Sequence, residues 1–126
     1  MKVFTRESAA EIIGVGKKLL DEYREKGLLP FSKVGRLVRI KESSLFALFD
    51  ATSFRPRTLS ATRGELKVFD NEGAEKFLQL SSSTIIRRRR DGLLNFSKIG
   101  DRVLFLEEDF HTLLDVTSST TTGGKI

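Results

Sequence analysis

Gly27-Leu28-Leu29-Pro30-Phe31-Ser32-Lys33-Val34-Gly35 recurs 65 positions later as Gly92-Leu93-Leu94-Asn95-Phe96-Ser97-Lys98-Ile99-Gly100. This pair of stretches decides the reading, because the match extends in both directions without a gap. Upstream, Lys2-Val3-Phe4 falls on Lys67-Val68-Phe69, and Glu7 and Ala9 fall on Glu72 and Ala74. Downstream, Val38, Glu42, Leu48 and Asp50 fall on Val103, Glu107, Leu113 and Asp115, and Thr52-Ser53 falls on Thr117-Ser118. Where identity is lost, apolar character persists, as in Ile12/Phe77, Ile13/Leu78, Val15/Leu80 and Ile40/Phe105. Hydrophobic phase kept this long marks an internal repeat. The chain reads as two units, 1–53 and 67–118, with a linker at 54–66 and a flexible tail at 119–126.

Within the first unit, Thr5 suits a helix cap, with Ser8 one turn in and apolar residues at Ala9, Ile12 and Ile13. The second unit has Asp70 at the cap, then Ala74, Phe77 and Leu78. Gly14-Val15-Gly16 and Gln79-Leu80-Ser81 read as short turns. A second helix follows at Lys17–Lys26 and Ser82–Asp91, each ended by a glycine, Gly27 or Gly92, suited to the position just past a helix. Two helices joined this closely form a helix-turn-helix pattern. Leu28–Ile40 and Leu93–Phe105 read as hairpins around Gly35-Arg36 and Gly100-Asp101. A last helix, Glu42–Phe49 and Glu107–Leu114, starts with acidic residues that suit the helix dipole. The expected fold class is mainly α with small β-hairpins (α+β), as two tandem winged helix-turn-helix units.

Composition narrows the functions. The net charge of +5 favours polyanionic partners, and the absence of cysteine excludes disulfides and thiolate metal sites. No apolar run reaches the ~20 residues a membrane span needs, and the N-terminus lacks a secretory apolar segment. The expectation is a cytoplasmic protein, without membrane contact or cofactor.

The ordered set "apolar helix, G-V-x turn, helix, x-G-x-L-P, glycine-centred hairpin, acidic-capped helix", found twice, resembles the excisionase-type and MerR-type winged helix-turn-helix domains. The resemblance implies a second helix in the DNA major groove and a hairpin wing against the backbone or minor groove. It also implies a role in recombination or transcription. Carried onto this sequence, it points in the second unit to Ser82, Ser83, Thr84, Arg87 and Arg90, with Lys98 and Arg102 on the wing. Arginine reads guanine in a bidentate fashion, while serine and threonine bond bases or phosphates. In the first unit it points to Lys17 and Lys18, with Lys33, Arg36 and Arg39 on the wing. The first unit departs from the pattern, since Asp21, Glu22 and Glu25 follow where phosphates should approach. Arg88 and Arg89 depart from it too, standing where apolar residues usually close the core; one of them is expected to lay its stem over the core edge.

Residues Arg55, Arg57 and Arg63 beside Pro56 read as an ordinary polar linker, with an arginine arm for the minor groove as the alternative. About 15 residues reach at most ~50 Å, enough to place the units in successive major grooves ~34 Å apart; equally, the units could form one body. No enzyme is expected. His111 is the only histidine, Glu107, Glu108 and Asp109 suit a helix N-terminus, and Gly14-x-Gly16 lacks the lysine of a phosphate loop. The reading is therefore a non-catalytic binder of double-stranded DNA. Its rival is a degenerate helix-turn-helix that docks on a recombinase, partition or replication protein, for which the acidic Asp21, Glu22 and Glu25 argue. RNA binding lacks an aromatic platform for stacking.

Overall fold

The second half of the chain repeats the elements of the first, each boundary shifted by the same 65 positions. A computed structural model describes residues 2–57 and 63–117. The first half runs β1 (Val3–Phe4), α1 (Arg6–Ile13), α2 (Lys17–Glu25), β2 (Ser32–Val34), β3 (Leu37–Lys41) and α3 (Glu42–Ala51). The second runs β4 (Val68–Phe69), α4 (Asn71–Leu78), α5 (Ser82–Arg90), β5 (Ser97–Ile99), β6 (Arg102–Leu106) and α6 (Glu107–Val116). The architecture is α+β. Each half has an antiparallel three-stranded sheet, in the orders β1-β3-β2 and β4-β6-β5. The registers correspond as well: Phe4 faces Ile40 as Phe69 faces Phe105, and Lys33 faces Val38 as Lys98 faces Val103. The short outer strands β1 and β4 were not expected from sequence; two residues are too few to show an alternating pattern. The tail expected at 119–126 lies outside the described residues.

Local chemistry explains the element ends. Thr5 Oγ1 accepts the Ser8 backbone N–H at 3.0 Å, and Ser8 Oγ accepts that of Thr5 at 2.9 Å. Asp70 Oδ1 accepts the Gly73 N–H at 2.8 Å. Gly27 and Gly92 take φ of +80° and +81° just past the C-caps Lys26 and Asp91 of α2 and α5, the left-handed conformation that closes a helix. The α1–α2 turn takes the same conformation at Gly14, but Gln79 adopts it in the second half with φ +56°. A side chain in that region costs roughly 1–2 kcal/mol.

The halves pack together as one body. Ala9, Ile13, Leu20, Ile40, Leu45, Leu48 and Phe49 form one buried cluster with Leu66, Ile99, Leu104 and Leu106. A smaller cluster of Ala74, Ile85, Leu94, Phe105, Phe110 and Leu113 belongs to the second half alone. Strand β6, Arg-Val-Leu-Phe-Leu, is apolar on both faces: Val103 and Phe105 serve its own core, while Leu104 and Leu106 face the first half. Strand β3, Leu-Val-Arg-Ile-Lys, keeps only Ile40 buried. A strand covered on both sides reads as a continuous apolar run, and one covered on a single side alternates.

The described parts of the joining segment, 54–57 and 63–66, are built into the structure, which differs from the polar-linker expectation. The Arg57 side chain is only 2% exposed; its Nε and Nη2 donate to Asp109 Oδ1 and Oδ2, both at 2.9 Å, and its Nη1 donates to the Phe49 carbonyl at 2.8 Å. Asp109 also accepts the Leu106 backbone N–H at 2.9 Å, so one carboxylate caps α6 and anchors the segment. Arg63 bridges Asp50 of α3 and Glu108 of α6. Side chains this occupied cannot serve as a minor-groove arm.

Candidate nucleic-acid interface

Helix α5 starts at Ser81, whose Oγ accepts the Thr84 N–H at 3.3 Å. Its apolar side carries Ile85, fully buried. Helical periodicity then puts Ser83, Ile86, Arg87 and Arg90 on one outward stripe. Ser82 is exposed beside it and accepts from Asn71 Nδ2 at 3.2 Å. Thr84 is half-buried, and its hydroxyl lies 3.0 Å from that of Ser81. Thr84 therefore belongs to the cap more than to the outward face. Ile86, 39% exposed, was missed in sequence because two isoleucines in a row look like core. Its spacing from Ser83 and Arg90 was the available signal.

The four consecutive arginines divide by role. Arg87 and Arg90 are exposed and have no carboxylate partner among the described residues. Arg88 donates to Asp91 at 2.8 Å. Arg89 lies over the Phe96 ring at 5.1 Å, and Phe96 stacks in turn on Phe54, with centroids 5.2 Å apart. The first half repeats this contact, with Arg24 over Phe31 at 4.7 Å. Arg89 is thus the arginine whose stem covers the core edge.

Helix α2 occupies the equivalent place with different chemistry. Lys18, Asp21, Glu22 and Glu25 stand where Ser83, Ile86, Arg87 and Arg90 stand in α5. Lys17 and Lys18 are exposed, Lys17 reaching Glu7 at 3.4 Å. Asp21 receives Arg6 and Arg24, each at 2.7 Å, and these hydrogen bonds, Arg6 first, hold its carboxyl below the ordinary carboxylate value. Glu22 and Glu25 remain exposed, so the outward face of α2 is acidic.

The two hairpins are also placed differently. Lys33 and Arg36 are exposed on the first, and Arg39 is half-buried with Nη1 donating to the Val38 carbonyl at 2.9 Å. The second hairpin lies against the first half. The Gly100 N–H donates to Tyr23 Oη of α2 at 2.9 Å, and a Cβ on Gly100 would fall 2.7 Å from a Leu19 methyl. Arg102 sits over Gly14 in the α1–α2 turn, with Asp70 at 3.8 Å. Lys98 is exposed, but its backbone N–H is taken by the Thr52 carbonyl at 3.1 Å. Of the residues expected at DNA, α5 brings Ser83, Arg87 and Arg90 together, while Arg102 is engaged at the junction. His111 is exposed and bonds Glu107 at 3.1 Å. Among the described residues there is no cluster of three or more side chains fit to hold a metal ion.

The first half has the arrangement that defines a helix-turn-helix domain: two short helices at a tight turn, closed by a hairpin and a third helix. Comparison of the sequence with protein families agrees, residues 3–53 matching the family described as "Helix-turn-helix domain". The match supports a DNA-binding helix-turn-helix protein. It covers the half whose α2 is acidic. No match was found among curated proteins or among solved structures. Among the described residues, no helix is long and apolar enough to cross a membrane.

Proposed function

We propose that the chain is a tandem of two winged helix-turn-helix units that binds double-stranded DNA without catalysing a reaction, and that α5 of the second unit makes the main major-groove contact. The observation that carries this reading is the outward stripe of α5, where Ser83, Arg87 and Arg90 surround Ile86 with no acidic side chain among them. Arg87 or Arg90 would pair with guanine O6 and N7, Ser83 with a base or phosphate, and Ile86 with a thymine methyl. The common offset of every element supports duplication of one unit. The resemblance to excisionase-type and MerR-type domains makes recombination or transcription the output.

The second hairpin is docked on α2, so any wing contact falls to the first hairpin, through Lys33 and Arg36. The first unit then acts as a brace. The acidic face of α2, with Glu22 and Glu25, favours one other reading, in which this unit docks on a protein partner such as a recombinase.

The test is binding to random-sequence duplex at two salt concentrations, for the wild type and for Arg87→Ala/Arg90→Ala, with selection of the bound sequences. If both arginines touch phosphate, the slope of log K against log salt falls by about 2 in the variant. If one reads guanine, its loss costs about 1–3 kcal/mol at one base position and relaxes specificity there. Folded protein that fails to bind at low salt would overturn the DNA reading.

A further inference from the structure

We infer that α5 discriminates DNA by the pyrimidine 5-methyl group, through Ile86, and so favours thymine over uracil and 5-methylcytosine over cytosine at one position close to a guanine. This inference rests on the DNA-binding reading and names what that surface selects. Ile86 is 39% exposed, although it follows the fully buried Ile85. It belongs neither to the buried cluster of its half nor to the partly buried residues packed on that cluster. The fold does not require an apolar side chain there, since the twin of Ile86 is Asp21. Exposure of a single isoleucine means little by itself; its setting is what points to a ligand.

In the first half, Asp21 is held by Arg6 and Arg24. In the second half, the same place is rebuilt. Arg6 is replaced by Asn71, whose Nδ2 donates to Glu75 at 2.9 Å and to Ser82 at 3.2 Å. Arg89, the twin of Arg24, keeps the stacking on phenylalanine but finds isoleucine where Arg24 finds Asp21. On the outward stripe, Ser83 precedes Ile86 by one turn, Arg87 stands beside it and Arg90 follows by one turn. Both arginines are exposed and have no carboxylate partner among the described residues.

The base edges in the major groove offer one apolar group, the 5-methyl of thymine, and guanine offers O6 and N7 to an arginine fork. A 5-methylcytosine projects its methyl from the same ring position, where cytosine and uracil carry only hydrogen. One helix turn rises about 5.4 Å and one base step about 3.4 Å, so residues a turn apart reach pairs one or two steps apart. An isoleucine between two unpaired arginines therefore matches a methyl group with guanine close by. A lone isoleucine among cations offers too little apolar area for a protein partner. It is matched in size by a methyl group, and the cations around it are matched by phosphates and guanine.

The experiment takes a duplex selected by the full chain and replaces its thymines by uracil one at a time, which removes a methyl and keeps every base pair. Wild type, Ile86→Val and Ile86→Ala are compared at one low salt concentration, and circular dichroism checks that each is folded. The expected result is one thymine at which uracil weakens wild-type binding about fourfold, the effect of one buried methyl. At that position a 5-methylcytosine–guanine pair should bind more tightly than cytosine–guanine by a similar factor. Ile86→Val should keep part of the preference, and Ile86→Ala should bind the thymine and uracil duplexes equally. Wild-type binding indifferent to every such change overturns the inference and leaves the DNA reading standing. A preference that survives in Ile86→Ala places the methyl contact on another residue and overturns it too. Failure to bind any duplex at low salt overturns both.

Discussion

Helices α2 and α5 hold the same place in their halves, begin and end at matching positions, and bury matching residues, Leu20 and Ile85. Their outward faces differ in sign: Lys18, Asp21, Glu22 and Glu25 against Ser83, Ile86, Arg87 and Arg90. The hairpins differ in the same way, since β5–β6 is docked on the first half and β2–β3 faces outward. The comparison separates what the fold requires from what each half does with it. One buried apolar residue in each of these helices and left-handed glycines at fixed places hold the shared element order. The outward positions are unconstrained by packing, and there the two halves differ in charge.

The largest expected effect concerns the tie between the halves. Arg57→Ala leaves Asp109 buried and without its cation, a change that costs about 3–5 kcal/mol. Urea unfolding should show that loss in a single transition that takes both halves. Early melting of the second half alone would mean that the halves fold independently and that the comparison is between separate domains.

Exchanging charge between the two helices sharpens the contrast next. Glu22→Arg/Glu25→Arg gives α2 the cations of α5. If the first half lies within reach of the duplex, the slope of log K against log salt should steepen by up to about 2. An unchanged slope would show that α2 faces away from DNA and that the first half is a brace only.

The smallest effect lies at Asp21, whose counterpart is the exposed Ile86. Because Arg6 and Arg24 lower its folded-state value below the ordinary 3.8, the stability it contributes is present above that pH. It is lost as pH falls through the folded value. Asp21→Asn should therefore lie below the wild type in stability at neutral pH, with the gap closing in acid. A gap independent of pH would assign the effect to packing.

Much of this was legible in the residues. The offset of 65, the caps at Thr5 and Asp70, and the closing glycines Gly27 and Gly92 depend on neighbours a few positions away, and so does the outward place of Arg87 and Arg90. Helix ends shifted by one or two residues, α2 and α5 ending at Glu25 and Arg90 and α3 and α6 running on to Ala51 and Val116. Local propensity changes little across a fraying turn. The contrast between Arg-Val-Leu-Phe-Leu and Leu-Val-Arg-Ile-Lys was also in the sequence, and it signalled that β6 is covered on both faces. It did not say by what.

The sequence by itself determined the 65-residue offset between the halves, the helix-turn-helix order of the first and the opposite charge of the two outward helix faces, because periodicity, capping and charge are properties of short stretches. Only the tertiary structure decided that Arg57 reaches Asp109, that the tip of the second hairpin rests on Leu19 and Tyr23, and that the segment after α3 covers the outer edge of β5. Those contacts join residues 48 to 77 positions apart, and no local pattern records which distant surface a buried face or a strand edge will meet.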